Sequence, residues 1–114
     1  MPLVLRFLYQ FTPPTWHLLV PAVLLWTTFA VSASDIKAGK NRSAPCTACH
    51  GYNGITANDE WPNLAGQKTG YLVRQIKAFR DGARTDPLMS EMAAGLTDAD
   101  IENIAVYFNS LPAP

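Results

Sequence analysis

The sequence predicts an all-α domain over residues 34–114, preceded by an apolar leading segment over residues 1–33. Two observations predict the helices. Residues 34–114 contain no alternating apolar run long enough to indicate a strand, and signals that start and stop helices are frequent there. The division into two parts follows from charge, because the leading segment carries one charged side chain, Arg6, and the rest of the chain carries the other 17.

The leading segment has the pattern of an export signal. An apolar run over residues 18–31 follows Arg6, and the segment ends in the small residues Ser32 and Ala33. The sequence therefore predicts a signal peptide, residues 1–33, that is cleaved after Ala33. An uncleaved N-terminal membrane anchor stays open as the alternative. In both cases we expect residues 34–114 to act outside the cytoplasm.

Residues 34–114 show three helical patterns. The first begins near Asp35 and is stopped by Pro45, and a glycine in its interior, Gly39, indicates close approach by another element. The second covers residues 69–81 and ends at Gly82, which is suited to the left-handed conformation that terminates helices.

The third helical pattern is the clearest. Thr97 is a good N-cap, and acidic residues follow it in the first turn, where the helix dipole favours them. The expected buried stripe of this helix consists of Ile101, Ile104, Ala105 and Phe108. The segments between the helices, residues 51–67 and 82–95, are rich in Gly, Pro, Asn and Asp and are predicted to be loops.

Composition excludes several functions. Residues 34–114 hold eight basic and nine acidic side chains, so there is no basic stripe for nucleic acid. Their one histidine is His50, which is too few for a Cys/His zinc site beside two cysteines. A domain this small is also only marginally stable through its apolar core, so a bound group is expected to stabilise it.

Cys46, Cys49 and His50 form the string C-x-x-C-H, the attachment signature of c-type haem. Two thiols three residues apart can add to the two vinyl groups of one porphyrin edge, and the adjacent imidazole then lies beneath the iron. The competing thioredoxin-like interpretation needs a βαβ unit, which residues 34–114 lack. The sequence therefore predicts one covalently attached haem, with His50 as an axial ligand.

A haem that only transfers electrons favours a second protein ligand, and His with Met is the pair that raises the reduction potential. Met89 and Met92 are the two candidates, both in the predicted loop before the last helix. Spacing alone does not choose between them.

With these motifs the chain resembles a class I, single-haem cytochrome c, nearest to the small bacterial cytochromes of the c-four, c-five and c-553-like groups. The resemblance is carried by CTACHG, WPNLAGQ, YLVRQIKAFRDGARTDP and MSEMAAGLTDADIENIAVYFNSL. It implies the small cytochrome c fold, in which three or more helices with long loops wrap around a covalently attached haem. It thus defines residues 34–114 as a cytochrome c domain.

The resemblance also implies particular residue roles. In the c-four group the sulfur ligand stands seven residues before the Leu that opens the last helix, which gives Met89 here, with Met92 as the neighbouring packing residue. The carbonyl of Pro62 is implied to accept the other ring N–H of His50. Gly39 is implied to lie where the first helix crosses the last. The chain departs from the c-four group in having one C-x-x-C-H string rather than two.

The function that the resemblance implies is that of a single-electron carrier in the bacterial periplasm, cycling between Fe(III) and Fe(II), and not an enzyme. Its expected partners are redox proteins such as a dehydrogenase, a membrane electron-transfer complex or a terminal oxidase. A membrane contact is expected only if residues 1–33 are retained, as an inner-membrane anchor. Two alternatives stay open: a haem-based sensor or peroxidase whose Met dissociates, and a cytochrome subunit fixed to a dehydrogenase complex.

Overall fold

A computed structural model describes residues 34–114, so the predicted signal peptide at residues 1–33 lies outside the described residues. The described part contains helices and no strands, which confirms the all-α prediction. None of its helices combines the length and apolar character that crossing a membrane requires. The helices are α1 (Ile36–Arg42), a 3-10 turn (Ala44–Cys46), α2 (Thr47–His50), α3 (Thr69–Arg80), α4 (Pro87–Ala94) and α5 (Asp98–Ser110).

Helix α1 crosses α5 at Gly39. The carboxylate of Asp35 caps α1 by accepting hydrogen bonds from the backbone N–H groups of Lys37 and Ala38. Gly39 is buried, and a Cβ placed on it would clash with the backbone oxygen of Asn103 and lie 2.9 Å from the Cβ of Tyr107. The close approach predicted at Gly39 is therefore confirmed.

Helices α3 and α5 enclose the apolar core. Helix α3 ends at Arg80, one residue before the predicted end, and Gly82 follows with a φ of 79°. Helix α5 begins after the predicted cap, Thr97, which forms a reciprocal capping box with Asp100. The buried residues of the core are Leu72, Ile104, Ala105, Tyr107 and Phe108.

Helix α4 corrects the sequence prediction, because Met89 and Met92 lie on a helix and not in a loop. Asp86 caps this helix by accepting from the N–H groups of Leu88 and Met89, at 2.9 and 2.8 Å. Pro87 occupies the first helical turn, where its missing N–H has no intrahelical partner to lose. Asp86 and Pro87 thus begin a helix, although the Gly, Pro, Asn and Asp content of residues 82–95 predicts a loop.

The long segment between α2 and α3 is held by backbone contacts to α5 and to itself. The N–H of Gly66 donates to the carbonyl of Phe108 at 2.9 Å, and Asn109 Nδ2 donates to the carbonyl of Gln67 at 2.8 Å. Within the segment, the carbonyl of Gly54 accepts from Leu64 at 2.8 Å. These bonds fix the position of the stretch that contains Pro62.

Candidate haem-binding site

The predicted site residues line one cavity of about 370 Å³. Elements far apart in sequence supply them: the turn of α2, the loop after it, and helix α4. The cavity wall includes the two cysteines, the histidine, the proline and both methionines, namely Cys46, Cys49, His50, Pro62, Met89 and Met92. The structure therefore brings all of the predicted residues together.

The two cysteines lie on consecutive short helical turns. Cys46 ends the 3-10 turn and Cys49 lies within α2; each is half-buried and neither is in a disulfide. Burial raises the pKa of the Cys46 thiol above its ordinary value. The thiol is therefore protonated at neutral pH. This arrangement presents two free thiols to one side of the cavity.

His50 is the last residue of α2 and is buried, with 6% of its surface exposed. Its ring nitrogen Nδ1 lies 2.9 Å from the carbonyl oxygen of Pro62. A carbonyl can only accept, so this contact requires the tautomer in which Nδ1 carries the proton. The other nitrogen, Nε2, is then the one with a lone pair for a metal.

The carbonyl of Pro62 is held in place by the residue that follows it. Asn63 Oδ1 accepts from the backbone N–H of Thr56 at 2.8 Å, which connects the beginning of the loop to the part that contains Pro62. Gln67 Nε2 donates to the Asn63 carbonyl at 3.4 Å, a longer and weaker contact. The orientation of His50 therefore depends on a loop that is itself anchored on α5.

Met89 and Met92 differ in exposure although both reach the cavity. They stand three residues apart on α4, which places them on neighbouring positions of one helix face. Met89 is half-buried, whereas 46% of the surface of Met92 is exposed. Of the two thioethers, that of Met89 is the one more enclosed by protein.

This donor set fits a haem attached through thioethers. Two unpaired thiols, an imidazole with one nitrogen already engaged, and a thioether surround a single cavity. Soft sulfur and imidazole donors suit iron in a porphyrin, and the cavity wall is completed by apolar side chains. Among these are Leu72, Ile76, Phe79, Ile104 and Phe108.

Comparison with known proteins agrees with this geometry. The sequence pattern of the family described as cytochrome c matches residues 36–112, which is nearly all of the described chain. The chain belongs to the cytochrome c family. This membership, together with Cys46, Cys49 and His50, identifies one covalently attached haem c as the cofactor of this cytochrome.

The cytochrome is similar to several bacterial proteins. It is 46% identical to cytochrome c-554(548) of Halomonas halodenitrificans over 81 residues, 68% of this chain and 98% of that protein. It is 36% identical to the thiosulfate dehydrogenase electron acceptor of Stutzerimonas stutzeri over 105 residues, 87% of this chain and 49% of that protein. The structure of reduced recombinant cytochrome c4 from Pseudomonas stutzeri matches with a TM-score of 0.62 at 34% identity, covering 68% of this chain and 48% of that chain.

These coverages divide the relatives into two kinds. The cytochrome spans nearly the whole of cytochrome c-554(548) but about half the length of the other two proteins. The similarity thus defines one cytochrome c unit, which agrees with the single C-x-x-C-H string in the sequence.

Sequence reasoning missed two residues of the cavity wall in this cytochrome and the contacts that a third, Arg84, makes there. Ala93, with 1% of its surface exposed, and Leu96 line the cavity from α4 and the turn after it. The guanidinium of Arg84 lies over the ring of Phe79, 4.5 Å from its centroid, and donates to Gln75 at 2.7 Å. No local pattern marks these residues, because their role depends on how α3 and α4 pack together.

Proposed function

We propose that this cytochrome is a single-electron carrier and that it changes no bond in a substrate. The observation that carries the proposal is the convergence of two thiols, a buried imidazole and a thioether on one largely apolar cavity. Haem c supplies a one-electron couple between Fe(III) and Fe(II) when bound. The polypeptide supplies ligands and an environment of low polarity.

Each residue of the site has a separate role in the proposal. Cys46 and Cys49 would form the thioether links and His50 and Met89 would hold the iron, with Met92 packing beside Met89. The carbonyl of Pro62 keeps the proton of His50 on Nδ1 and strengthens the imidazole as a ligand. Two protein ligands that stay bound in both oxidation states keep rearrangement on electron transfer small.

We place the carrier in the bacterial periplasm, with residues 1–33 acting as a cleaved signal peptide and residues 34–114 as the working domain. Its partners in this proposal are other redox proteins. A relative named as an electron acceptor of thiosulfate dehydrogenase supports a dehydrogenase as electron donor. Intact mass after expression in a host that attaches haem tests the attachment of haem and the cleavage after Ala33, because haem addition raises the mass and loss of residues 1–33 lowers it.

The ligand assignment predicts different results for the two methionines. In oxidised Met89→Leu we expect complete loss of the sulfur-to-iron charge-transfer band and a lower reduction potential, because the thioether favours Fe(II). The matched control, Met92→Leu, keeps the band and changes the potential little. Absorption spectra and redox titration of the purified proteins measure both quantities.

The reverse pattern, with the band lost only in Met92→Leu, would exchange the two roles.

Adding carbon monoxide to the reduced protein distinguishes an electron carrier from a sensor or peroxidase. A carrier with a firmly bound thioether shows no change in its spectrum. Rapid formation of the carbon monoxide complex would instead indicate a methionine that dissociates.

A further inference from the structure

Helix α4, which carries Met89, has few buried contacts of its own. Only Ala93 is buried among its eight residues, and Leu88 is 60% exposed. A helix of two turns is not stable in isolation, so its position depends on what holds its ends. Asp86 caps the N-terminal end through bonds that are local in sequence. Contacts that are distant in sequence must therefore hold α4 either through its packing against α3 or at its C-terminal end.

The C-terminal end of α4 leads into the α4–α5 junction, residues 95–98. Arg80 of α3 forms hydrogen bonds to this junction. Arg80 Nη1 donates to Asp98 Oδ1 at 2.6 Å and to the carbonyl of Leu96 at 3.3 Å. The remaining nitrogens, Nε and Nη2, donate to the two carboxylate oxygens of Asp81 at 2.7 and 3.2 Å. The fork with Asp81 fixes the plane of the guanidinium, so that Nη1 faces the junction.

Two other cations, Lys77 and Arg42, approach the same junction. Lys77 donates to Asp98 Oδ2 at 2.8 Å, which is its one hydrogen bond to the junction among the described residues. Arg42 of α1 reaches the carbonyl of Gly95 at 3.4 Å, near the limit of a hydrogen bond, and its Nε lies 3.4 Å from Asp100 Oδ1 of α5. Arg80 thus differs from Lys77 in also holding a backbone carbonyl, and from Arg42 in its 2.6 Å bond to the first residue of α5, Asp98.

We infer that Arg80 is a positioning residue for the sixth haem ligand: by tying the end of α3 to Leu96 and Asp98, it holds α4 so that Met89 faces the cavity. Leu96 and Met89 line the same cavity from the two ends of this segment. Because a helix moves as a rigid rod, displacement of the junction turns α4 about its capped end and withdraws the thioether. This inference rests on the proposed role of Met89.

The first test measures α4 directly and does not depend on which ligand binds iron. Hydrogen exchange is followed in the haem-loaded chain for backbone amides of α4 and for the core amides of α5. In Arg80→Gln we expect exchange in α4 to accelerate about three- to fivefold more than exchange in α5, the range for a partly exposed ion pair. Lys77→Gln, which removes a cation from the same carboxylate, should change α4 by no more than about twofold.

The second test measures the ligand. Cyanide competes with a thioether for oxidised iron, so a loosened Met89 should raise the apparent cyanide affinity of Arg80→Gln about three- to fivefold, with little change in Lys77→Gln. Asp81→Asn, which releases the fork that orients Arg80, should act in the same direction and provides a milder variant if Arg80→Gln folds poorly.

Equal acceleration of α4 and α5 in Arg80→Gln would show that the residue only stabilises the whole fold and would overturn the inference. So would equal effects of Arg80→Gln and Lys77→Gln, or an unchanged cyanide affinity in a protein that shows the sulfur-to-iron band. Absence of that band from the unmodified protein would instead refute the assignment of Met89, while the exchange rates in α4 would still decide whether Arg80 anchors the helix.

Discussion

Gly39 determines how closely the first and last helices of the fold can approach. It lies in the middle of α1, a position where glycine costs about 1 kcal/mol of helix propensity relative to alanine. The backbone of Asn103 and the Cβ of Tyr107 occupy the space that a side chain would need. Gly39 therefore stabilises the tertiary structure rather than the helix, since it allows α1 to pack directly on α5.

Replacing Gly39 with alanine should lower the free energy of unfolding by about 1–3 kcal/mol, because the added methyl group must displace helix backbone. Denaturant titration of the haem-loaded protein measures this loss. Gly95→Ala is the matched control, since a Cβ there meets no atom within 4 Å and its φ is −92°. We expect the control to be neutral or slightly stabilising. Similar losses in both variants would contradict the crossing as the cause.

At the scale of elements, α5 organises the fold through its first turn and its buried stripe. The Thr97 hydroxyl accepts from the N–H of Asp100 at 3.1 Å, and the Asp100 carboxylate accepts from the N–H of Thr97 at 2.9 Å. The bonds that the backbone N–H and the hydroxyl of Thr97 donate to this carboxylate, with Arg42 nearby, hold the pKa of the Asp100 carboxyl below its ordinary value. The box fixes the start of α5, and so the register in which Ile104 and Phe108 face the core.

The capping box predicts a pH dependence of stability. A carboxyl whose pKa is lower in the folded state contributes stability above its unfolded pKa, about 4, and this contribution disappears as the pH falls through the folded value. Asp100→Asn should therefore be less stable than the unmodified protein at pH 7, and the difference should shrink on acidification to about pH 3.

Urea titrations at several pH values between neutrality and pH 3 measure this difference in the free energy of unfolding. Asp59→Asn, at an exposed position of the loop after α2, serves as the control and should show little difference at any pH. A difference for Asp100→Asn that stays constant across the pH range would show that the negative charge is not what stabilises the cap.

At the scale of the described molecule, residues 34–114, the helices form a small core, and one side of that core lines the haem cavity. Leu72, Ile104 and Phe108 belong to the core cluster and also line the cavity. Three other apolar side chains of the same cavity, Ile76, Leu88 and Leu96, stay half-buried or exposed, so bound haem would cover their surface, and burial of that apolar area stabilises the fold. In a domain of this size the covalent cofactor is therefore part of the core.

Removing both attachment points should consequently unfold the protein. We expect the double variant Cys46→Ala, Cys49→Ala to lack covalent haem and to lose most helical signal in far-ultraviolet circular dichroism at 25 °C. Ala48→Ser, an exposed change between the two cysteines, should retain haem and helix content. Cooperative thermal unfolding of the double variant at a midpoint close to that of the haem-loaded protein would contradict the cofactor's structural role.

How much the sequence predicted depends on whether the signal was local. The buried stripe of α5 is predictable because it repeats along one helix. The cap of α5 and the stop at Gly82 are predictable because each lies next to the helix that it begins or ends. Helix α4 was missed, since eight residues between Asp86 and Gly95 are too short for a periodic pattern. The hydrogen bond from Arg80 to the carbonyl of Leu96 joins residues 16 positions apart, and no local sequence pattern in either segment predicts it.

The chemistry of this protein is indicated by one short string of residues. Cys46, Cys49 and His50 are neighbours along the chain, so their geometry is set by one turn of backbone, and the haem they indicate follows from that turn. The cavity around that group depends instead on the packing of segments that are far apart along the chain. Its far wall, with Met89 on a lightly buried helix, forms when α3, α4 and α5 pack together, and packing depends on contacts between residues that no local pattern connects.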